Sequence, residues 1–515
     1  MKRIIYILIL SVACTSCQKY LGTEPTDFTS PEIFYNTEEE LNQALAGVYN
    51  ALAQDGTYAR NLAVELAHGS DEGFYRQNTA NINPILYNHD AANTIVLACW
   101  RELYSGINRA NLLLANIHKP EMDETRRNVI RGEALFLRAY CYFQLVSLWG
   151  DVPLLLEPTT DGGVVDIPRT PATTIYDLIL RDMTEAESLV DDLADIGFPG
   201  RVSKVAVQGI LARVCLKMAG EPLKDASKLE DARSWAQRVI ESGKYQLNTD
   251  YKQVFINHSA DQYDIKESLW EIEFWGNQLG NAYRAAGRIG NQFSIRSLTA
   301  EMYGYASINA TATLYRMYDD PDDVRRDWNI APFRYVSTTS LDTVHLKPDE
   351  LYIRNTGKWR REYETVLPRN IDFSPTNFPL LRYADVLLMF AEAENELSGP
   401  TDEAHEALNE VRRRAHAYEY SGDRKIGDQE EFRQVIKDER ARELCFEGLR
   451  KFDLIRWGIF EQVMRDVGND ITGNAPSDMQ HAADAYHRIA PRHRVLPIPA
   501  LEMSLNKAMY QNEGW

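Results

Sequence analysis

IKDERARELCFEGLRKFDLIRWG, Ile436 to Gly458, is the stretch on which the reading of this chain turns. Glu439, Glu443 and Glu447 recur every four residues, so in a helix they stack along one face, flanked by Arg440, Arg442, Arg450 and Arg456. Such a cluster has two readings. Acid–base chemistry needs two carboxyl groups whose pKa values are pushed apart, at a separation set by the reaction. Carboxylates four apart on one helix face, set among arginines, more often form an ion-pair network. The second reading is the stronger and makes the block part of a helical scaffold.

Working outward, helical periodicity dominates. Helical order resumes at Leu380, where Leu381, Ala384, Leu388 and Ala391 share a face, and ends at Gly399-Pro400; Ala404, Leu408, Val411 and Ala415 pair with it. Toward the N terminus, Leu41, Leu45, Val48 and Leu52 sit at helical intervals, and Ile95–Ile117 and Ile130–Trp149 repeat the signal. In the latter, Ala134, Leu137, Cys141, Leu145 and Leu148 line one face before Gly150-Asp151-Val152-Pro153 stops it. Ile175–Leu189 precedes Ser203–Ala219, which Ser203 can cap, and Leu229–Ile240 follows with Trp235, Ala236 and Val239 inward. Alternating helices of this length are similar to tetratricopeptide-type units with weak self-similarity; a generic helical core is the alternative. Between about Asn248 and Asn377 the texture changes. Gly, Asn, Tyr and Trp accumulate, and short β-prone pieces such as Ser268–Trp275 and Thr343–Leu346 appear.

Composition sets limits. At 515 residues with 44% hydrophobic and 25% charged, the chain can bury a large core. A formal net charge of −19 argues against nucleic acid as a partner, because phosphate recognition needs a basic footprint. Lys2-Arg3, the apolar run Ile4–Leu10 and Ala13-Cys14-Thr15-Ser16-Cys17 read as a secretory leader, too short to span a bilayer. Ser16-Cys17 fits the place where a bacterial lipoprotein is cut and acylated; cleavage before Cys14, or cleavage without a lipid, is the competing reading. The other cysteines, Cys99, Cys141, Cys215 and Cys445, lie far apart in helical contexts and read as buried thiols without zinc-site spacing. The histidines, His68, His89, His118, His481, His487 and His493 among them, form no metal-ligand spacing, and Asp319-Asp320 with Asp322-Asp323 reads as a solvated turn. No metal and no cofactor is expected.

These landmarks, taken in order, resemble the SusD/RagB family of surface lipoproteins. The resemblance rests on Ser16-Cys17 followed by Leu21 and Pro25; INRAN, Ile107–Asn111; RGEALFLRAYCYFQLVSLWGDVPL, Arg131–Leu154; RTP at Arg169; RVSK at Arg201; PLLRYADVLLMFAEAENEL, Pro379–Leu397; the block Glu439–Gly458; LPIP at Leu496; and QNEGW at Gln511. It implies a mainly α fold, tetratricopeptide-like helical pairs in a right-handed superhelix with a loop-rich insert carrying short β-strands. It divides the chain into a leader (1–16), a lipidated tether (17–30), an N-terminal helical part (31–247), a loop-rich insert (248–378) and a C-terminal helical part (379–515) packed with the N-terminal helices as one body. It also implies a non-catalytic binder of oligosaccharides, anchored in the outer membrane through Cys17, that delivers its ligand to a SusC-like TonB-dependent transporter. Ligand contacts in this family lie in variable loops, which leaves the Glu/Arg block in the scaffold.

Sugar recognition needs an aromatic face for the C–H side of a pyranose and planar polar groups to read its hydroxyls. Two segments that read as loops offer both. The first is Asp71–Asn78, with Asp71, Phe74, Tyr75, Arg76 and Asn78; the second begins the insert with Trp275, Asn277, Tyr283 and Arg284, followed by Trp328 and Trp359. Burial competes with ligand contact for Trp275, whereas the polar flanks Asp327 and Asn329 favour exposure of Trp328; Trp100, Trp149 and Trp457 read as core. Two other functions stay open: the same fold binding peptides, as RagB-type relatives do, and a glycoside hydrolase, favoured only by the abundance of carboxylates. Gln18-Lys19 lacks the acidic run that often accompanies export to the outer face, so a periplasm-facing anchor stays open as well.

Overall fold

The computed structural model describes residues 34–159, 166–279 and 285–515; the leader, Cys17 with its tether, and Tyr283 and Arg284 lie outside them. Helix α1 (Glu38–Leu52) starts at a capping box, in which the Thr37 side chain accepts from the Glu40 N–H and the Glu40 carboxylate accepts from the Thr37 N–H. Helices α2 (Thr94–Asn116), α3 (Glu124–Trp149), α4 (Ala172–Leu189), α5 (Lys204–Ala219) and α6 (Lys228–Glu241) follow, each packed on its predecessor. Ser203 caps α5 through its hydroxyl, which accepts from Ala206 N. After α7 (Tyr251–Ala260) the chain enters the insert and returns as α8 (Tyr383–Ser398), which docks on α6 and so continues the stack. Helices α9 (Asp402–Arg414), α10 (Gln429–Leu444), α11 (Arg450–Arg456) and α12 (Phe460–Asn474) complete the C-terminal part.

Three two-stranded antiparallel ladders form within the insert and at its borders: β1 (Gly73–Tyr75), from the N-terminal part, with β3 (Ile308–Ala310), β2 (Ser268–Ile272) with β6 (Phe378–Arg382), and β4 (Phe333–Tyr335) with β5 (Thr343–His345). The β2–β6 pair brings the two ends of the insert together, and both strands are buried throughout. Here one expectation fails. Leu380 and Leu381 belong to β6, and the helix starts only at Tyr383. A short apolar run followed by a helix cannot be told from that helix by period alone.

One apolar core extends from Tyr35 in the N-terminal part to Met509 near the C terminus. A second, smaller one gathers Leu454, Phe460, Met464, Val467 and Ile471 around Phe74, Tyr87, Tyr352 and Tyr486. Cys99, Cys141, Cys215 and Cys445 are buried free thiols. No described helix is long and apolar enough to cross a membrane.

The signature block is a buried ion-pair network with one departure from the expected helix. Helix α10 ends at Leu444, and Phe446 and Gly448 take φ of 62° and 74°, so Glu447 sits in the turn leading to α11. Its carboxylate nevertheless returns to the network, accepting from Arg382 Nη2 at 2.7 Å and from Lys358 Nζ at 2.5 Å. Arg325 Nη1 bridges Glu439 and Glu443 at 2.6 and 3.1 Å, Arg412 closes on Glu439 at 2.6 Å, and Arg414 closes on Glu443 at 2.6 Å. Asp323, expected in a solvated turn, is buried against Arg325 at 2.7 Å. Burial alone would raise the Glu443 carboxyl, but Arg414, Arg382 and Arg325 overcome it and hold it at about 2; Glu439 lies lower still for the same reason. Glu439 and Glu443 are therefore ionised acceptors at neutral pH.

Candidate ligand site

The segment after Ser70 is built on strand alternation. Gly73 opens β1 where any Cβ would lie 2.6 Å from Ile308 Cγ2 and 3.1 Å from the Asn309 carbonyl, so only glycine lets the two strands close. Phe74 then points into the smaller core and Tyr75 points away from it. Past the strand, the Arg76 N–H donates to the Ser307 carbonyl at 2.8 Å and Arg76 Nε donates to the Ala306 carbonyl at 2.9 Å. Gln77 Nε2 donates to Tyr305 Oη at 2.9 Å.

Tyr305 is displayed by a strained loop. Tyr303 and Ala306 on either side adopt φ of 47° and 51°, the left-handed region that non-glycine residues rarely occupy. The Tyr305 N–H donates to Asn291 O at 3.0 Å and its carbonyl accepts from Arg296 Nη1 at 3.2 Å, leaving the ring 36% exposed. The result is a small surface of two tyrosines, two guanidiniums and two amides: Tyr75, Tyr305, Arg76, Arg296, Gln77 and Asn78. Burial, then the neighbouring Tyr305, raises the Tyr75 phenol; burial, then Arg296, lowers the Arg76 guanidinium. Arg76 Nη2 is buried and has no hydrogen-bond partner among the described residues. Behind Tyr75, Gln77 and Asn78 a cleft of about 520 Å³, open to solvent, is walled by His481, Asp484 and Arg488.

The second segment has been only partly brought to the surface. Trp275 is 49% exposed and pairs its backbone with Ala285 at 3.1 and 3.2 Å. Asn277 works as a loop clamp: its Nδ2 donates to Pro368 O at 2.8 Å, its Oδ1 accepts from Leu279 N, and its carbonyl accepts from Asn370. Asn291 joins the two regions, donating to both Tyr303 O at 2.8 Å and Ile371 O at 2.7 Å.

Four expected contact residues are scaffold instead. Asp71 is buried in an ion pair with Arg450 at 2.8 Å, and Phe74 is buried in the smaller core. Trp359 is fully buried with its ring edge-on to Phe255, and Trp328, also buried, carries the Arg360 guanidinium 3.9 Å from its ring. A large aromatic flanked by polar residues can still be enclosed when an arginine stacks over it, which is what Arg360 does. Trp100 and Trp149 are core as expected; Trp457 is half-buried and donates to Glu392 at 2.7 Å.

Residues 266–515 match the profile of the SusD family, and residues 19–216 match a profile described as starch-binding associating with outer membrane. The chain belongs to the SusD/RagB family. Over its whole length it is 26% identical to SusD-like protein P25 of Formosa agariphila, covering 98% of that protein. It is 25% identical to the starch-binding protein SusD of Bacteroides thetaiotaomicron over 75% of this chain and 72% of that one. The crystal structure of a SusD homolog from Bacteroides thetaiotaomicron superposes with a TM-score of 0.86 at 28% identity, covering 94% of this chain and 98% of that one.

In this member of the SusD/RagB family, sequence reasoning missed Tyr305, Arg296 and Gln77 as a group. The available signal was Tyr303-Gly304-Tyr305, two tyrosines around a glycine inside the loop-rich insert.

Proposed function

We propose that this protein is a non-catalytic glycan-binding lipoprotein, held at the outer membrane through an acylated Cys17, which binds oligosaccharide and hands it to a SusC-like TonB-dependent transporter. The observation that carries the reading is the Tyr75–Arg76–Gln77–Asn78 strip, half-buried as far as Gln77 and exposed at Asn78, with Tyr305 and Arg296 beside it, where Arg76 Nη2 has no acceptor among the described residues. Phenol rings and planar donors in one shallow surface suit pyranose faces and hydroxyls. Trp275 would extend that surface. Family membership and the starch-binding name of the Bacteroides thetaiotaomicron relative support a carbohydrate ligand and an outer-membrane location.

The test is retardation of the purified protein in gels cast with a panel of polysaccharides, beside a panel of peptides in solution. Retardation by one glycan class, lost in Tyr305→Ala and without release of reducing ends, is the expected outcome. Binding of peptides with no glycan retarding the protein overturns it. Palmitate labelling lost in Cys17→Ala, and protease shaving of intact cells, test the anchor and the side of the membrane. Co-purification with a TonB-dependent barrel tests the partner.

A further inference from the structure

Two cavities away from the candidate ligand site meet at two side chains, Ser147 and Lys217. The inner one, about 70 Å³, lies between α3, α5 and α11, with Gln144, Ser147, Lys217 and Asp453 in its walls. The outer one, about 1340 Å³ including its mouth, runs beneath the C-terminal Asn512, Glu513 and Gly514, and is lined by Ser147, Tyr176 and Lys217.

Lys217 stands on the last turn of α5 and is only 5% exposed. Its one hydrogen bond among the described residues is a long contact from Nζ to the Glu221 carbonyl at 3.4 Å, although an ammonium carries three donors. The surrounding guanidiniums are already neutralised: Arg213 by Asp385, Arg440 by Asp385 and Asp453, and Arg456 by Glu392 and Asp453. Lys217 is the cation left over. The hydroxyls of Ser147 and Tyr176 are both buried and lie against one another, where Ser147 opposes the rise that burial gives the Tyr176 phenol; beyond each other they meet no partner among the described residues. Buried charges are ordinarily paired and buried hydroxyls fully bonded, so an ammonium with one long contact, beside two hydroxyls that have only each other, points to something that meets them.

We propose that this junction binds a small carboxylate, with Lys217 Nζ as its charge partner and the Ser147–Tyr176 hydroxyl pair supplying one hydrogen-bond donor to it. The chemistry is shared by a free organic acid and by the uronate end of an acidic sugar, and either reaches the junction through the outer cavity. The proposal does not depend on the glycan reading of the Tyr305 surface. Burial, with Arg456 adding to it against Asp453 and Glu221, lowers the Lys217 ammonium to about 8. Arg456 and Asp453, which face Lys217 with Glu221, are paired with each other at 2.8 Å. Carboxylate affinity therefore falls about tenfold per pH unit above that value, as the ammonium is lost.

Isothermal titration of the full chain in detergent, with acetate, glucuronate and glucose as separate titrants at pH 7 and pH 9, tests this. Acetate binding at pH 7 that weakens about tenfold at pH 9, with glucose silent, is the expected result. Lys217→Met and the double change Ser147→Ala with Tyr176→Phe should each weaken acetate at least tenfold while unfolding stays cooperative. Glucuronate behaving as acetate does assigns the uronate source; acetate alone assigns the free acid. No carboxylate binding to the native chain overturns the proposal. So does unchanged affinity in the hydroxyl double variant, which keeps the test intact should Lys217→Met fail to fold.

Discussion

Arg450 grips Asp71 through two parallel hydrogen bonds, Nε to Oδ1 at 2.9 Å and Nη2 to Oδ2 at 2.8 Å, across 379 residues of chain. Both side chains are buried, so the pair ties the turn between α10 and α11 to the root of the strand that carries Tyr75. The same root is held from the insert, where the Thr311 hydroxyl donates to Asp71 O and the Thr311 N–H donates to Glu72 O at 3.1 Å. The family signature thus positions the candidate ligand strip without touching it.

Removing one partner of such a buried pair strands the other charge. Arg450→Ala should lower unfolding free energy by about 3–5 kcal/mol, read from urea midpoints. It should also speed amide exchange over Gly73–Asn78 more than over α5. Replacing both partners by apolar residues, Asp71→Leu with Arg450→Met, should recover part of the loss. A double variant no more stable than Arg450→Ala would place the cost in packing rather than in the orphaned carboxylate.

Acid and alkali act on opposite sets of carboxylates. Burial would raise Asp385, but Arg440 and Arg213 hold it at about 2, as Arg414, Arg382 and Arg325 hold Glu443. Their folded pKa values lie below the usual 3.8 and 4.5, so the stability they bring is present above that range and is lost as pH falls toward 2. Glu72 has the opposite sign. Burial, then the adjacent Asp71, raises it to about 8, so the native state keeps a proton that the unfolded chain releases, and stability drains away as pH rises from about 4.5 to about 8. Glu72→Gln keeps an acceptor for the Phe446 N–H, which now reaches Glu72 Oε2 at 3.2 Å, and cannot ionise. Its advantage over the native protein should grow by up to about 1.4 kcal/mol per pH unit across that window and then level off. Urea unfolding at unit steps from pH 5 to pH 9 checks it; a constant difference would assign the effect to something other than ionisation.

The helices were legible because their punctuation is local: Ser203 caps α5, and Gly399, with φ of 81°, ends α8 where the sequence shows Gly-Pro. What the sequence hid is non-local. The four-residue charge repeat runs on through Glu447, yet the backbone leaves the helix at Cys445, because Phe446 and Gly448 turn left-handed while Arg382 and Lys358 pull the carboxylate back. Adjacent Phe74 and Tyr75 announced that one would face outward, but which one was decided by pairing with Ile308–Ala310, some 235 residues later. Asp71 looked like a ligand contact for want of sight of Arg450, and Trp359 for want of sight of Phe255. Tyr305 escaped notice because its display depends on left-handed Tyr303 and Ala306, which no pattern marks.

Tryptophans and tyrosines in the insert should separate cleanly into two kinds. Trp359→Ala empties a fully buried site and should cost about 3–5 kcal/mol with ligand affinity, measured well below the melting temperature, little changed. Tyr305→Ala removes an exposed ring and should leave the melting temperature within a few degrees while weakening glycan retardation at least tenfold. Trp275→Ala should resemble Tyr305→Ala if the bridge through Asn291 and Asn370 makes the two patches one surface. Full retention of glycan binding by Tyr305→Ala would remove the strip from the ligand site.

Glu443 discriminates between scaffold and catalyst. Its two oxygens accept from Arg325, Arg382 and Arg414 at 2.6 to 3.1 Å, and it is held ionised in a site with no solvent access. Glu443→Gln replaces one acceptor by an amide that points donors at guanidiniums, so it should destabilise the fold by about 3–5 kcal/mol. Neither native nor variant protein should release reducing ends from a retarding polysaccharide at any pH between 5 and 8. A catalytic carboxylate would give the reverse pattern: native turnover abolished in a variant of unchanged stability. Calorimetric melting and a reducing-sugar assay on the same two preparations therefore decide whether the carboxylate ladder of Ile436 to Gly458 does chemistry or holds helices, and the arginines around Glu443 point to the second.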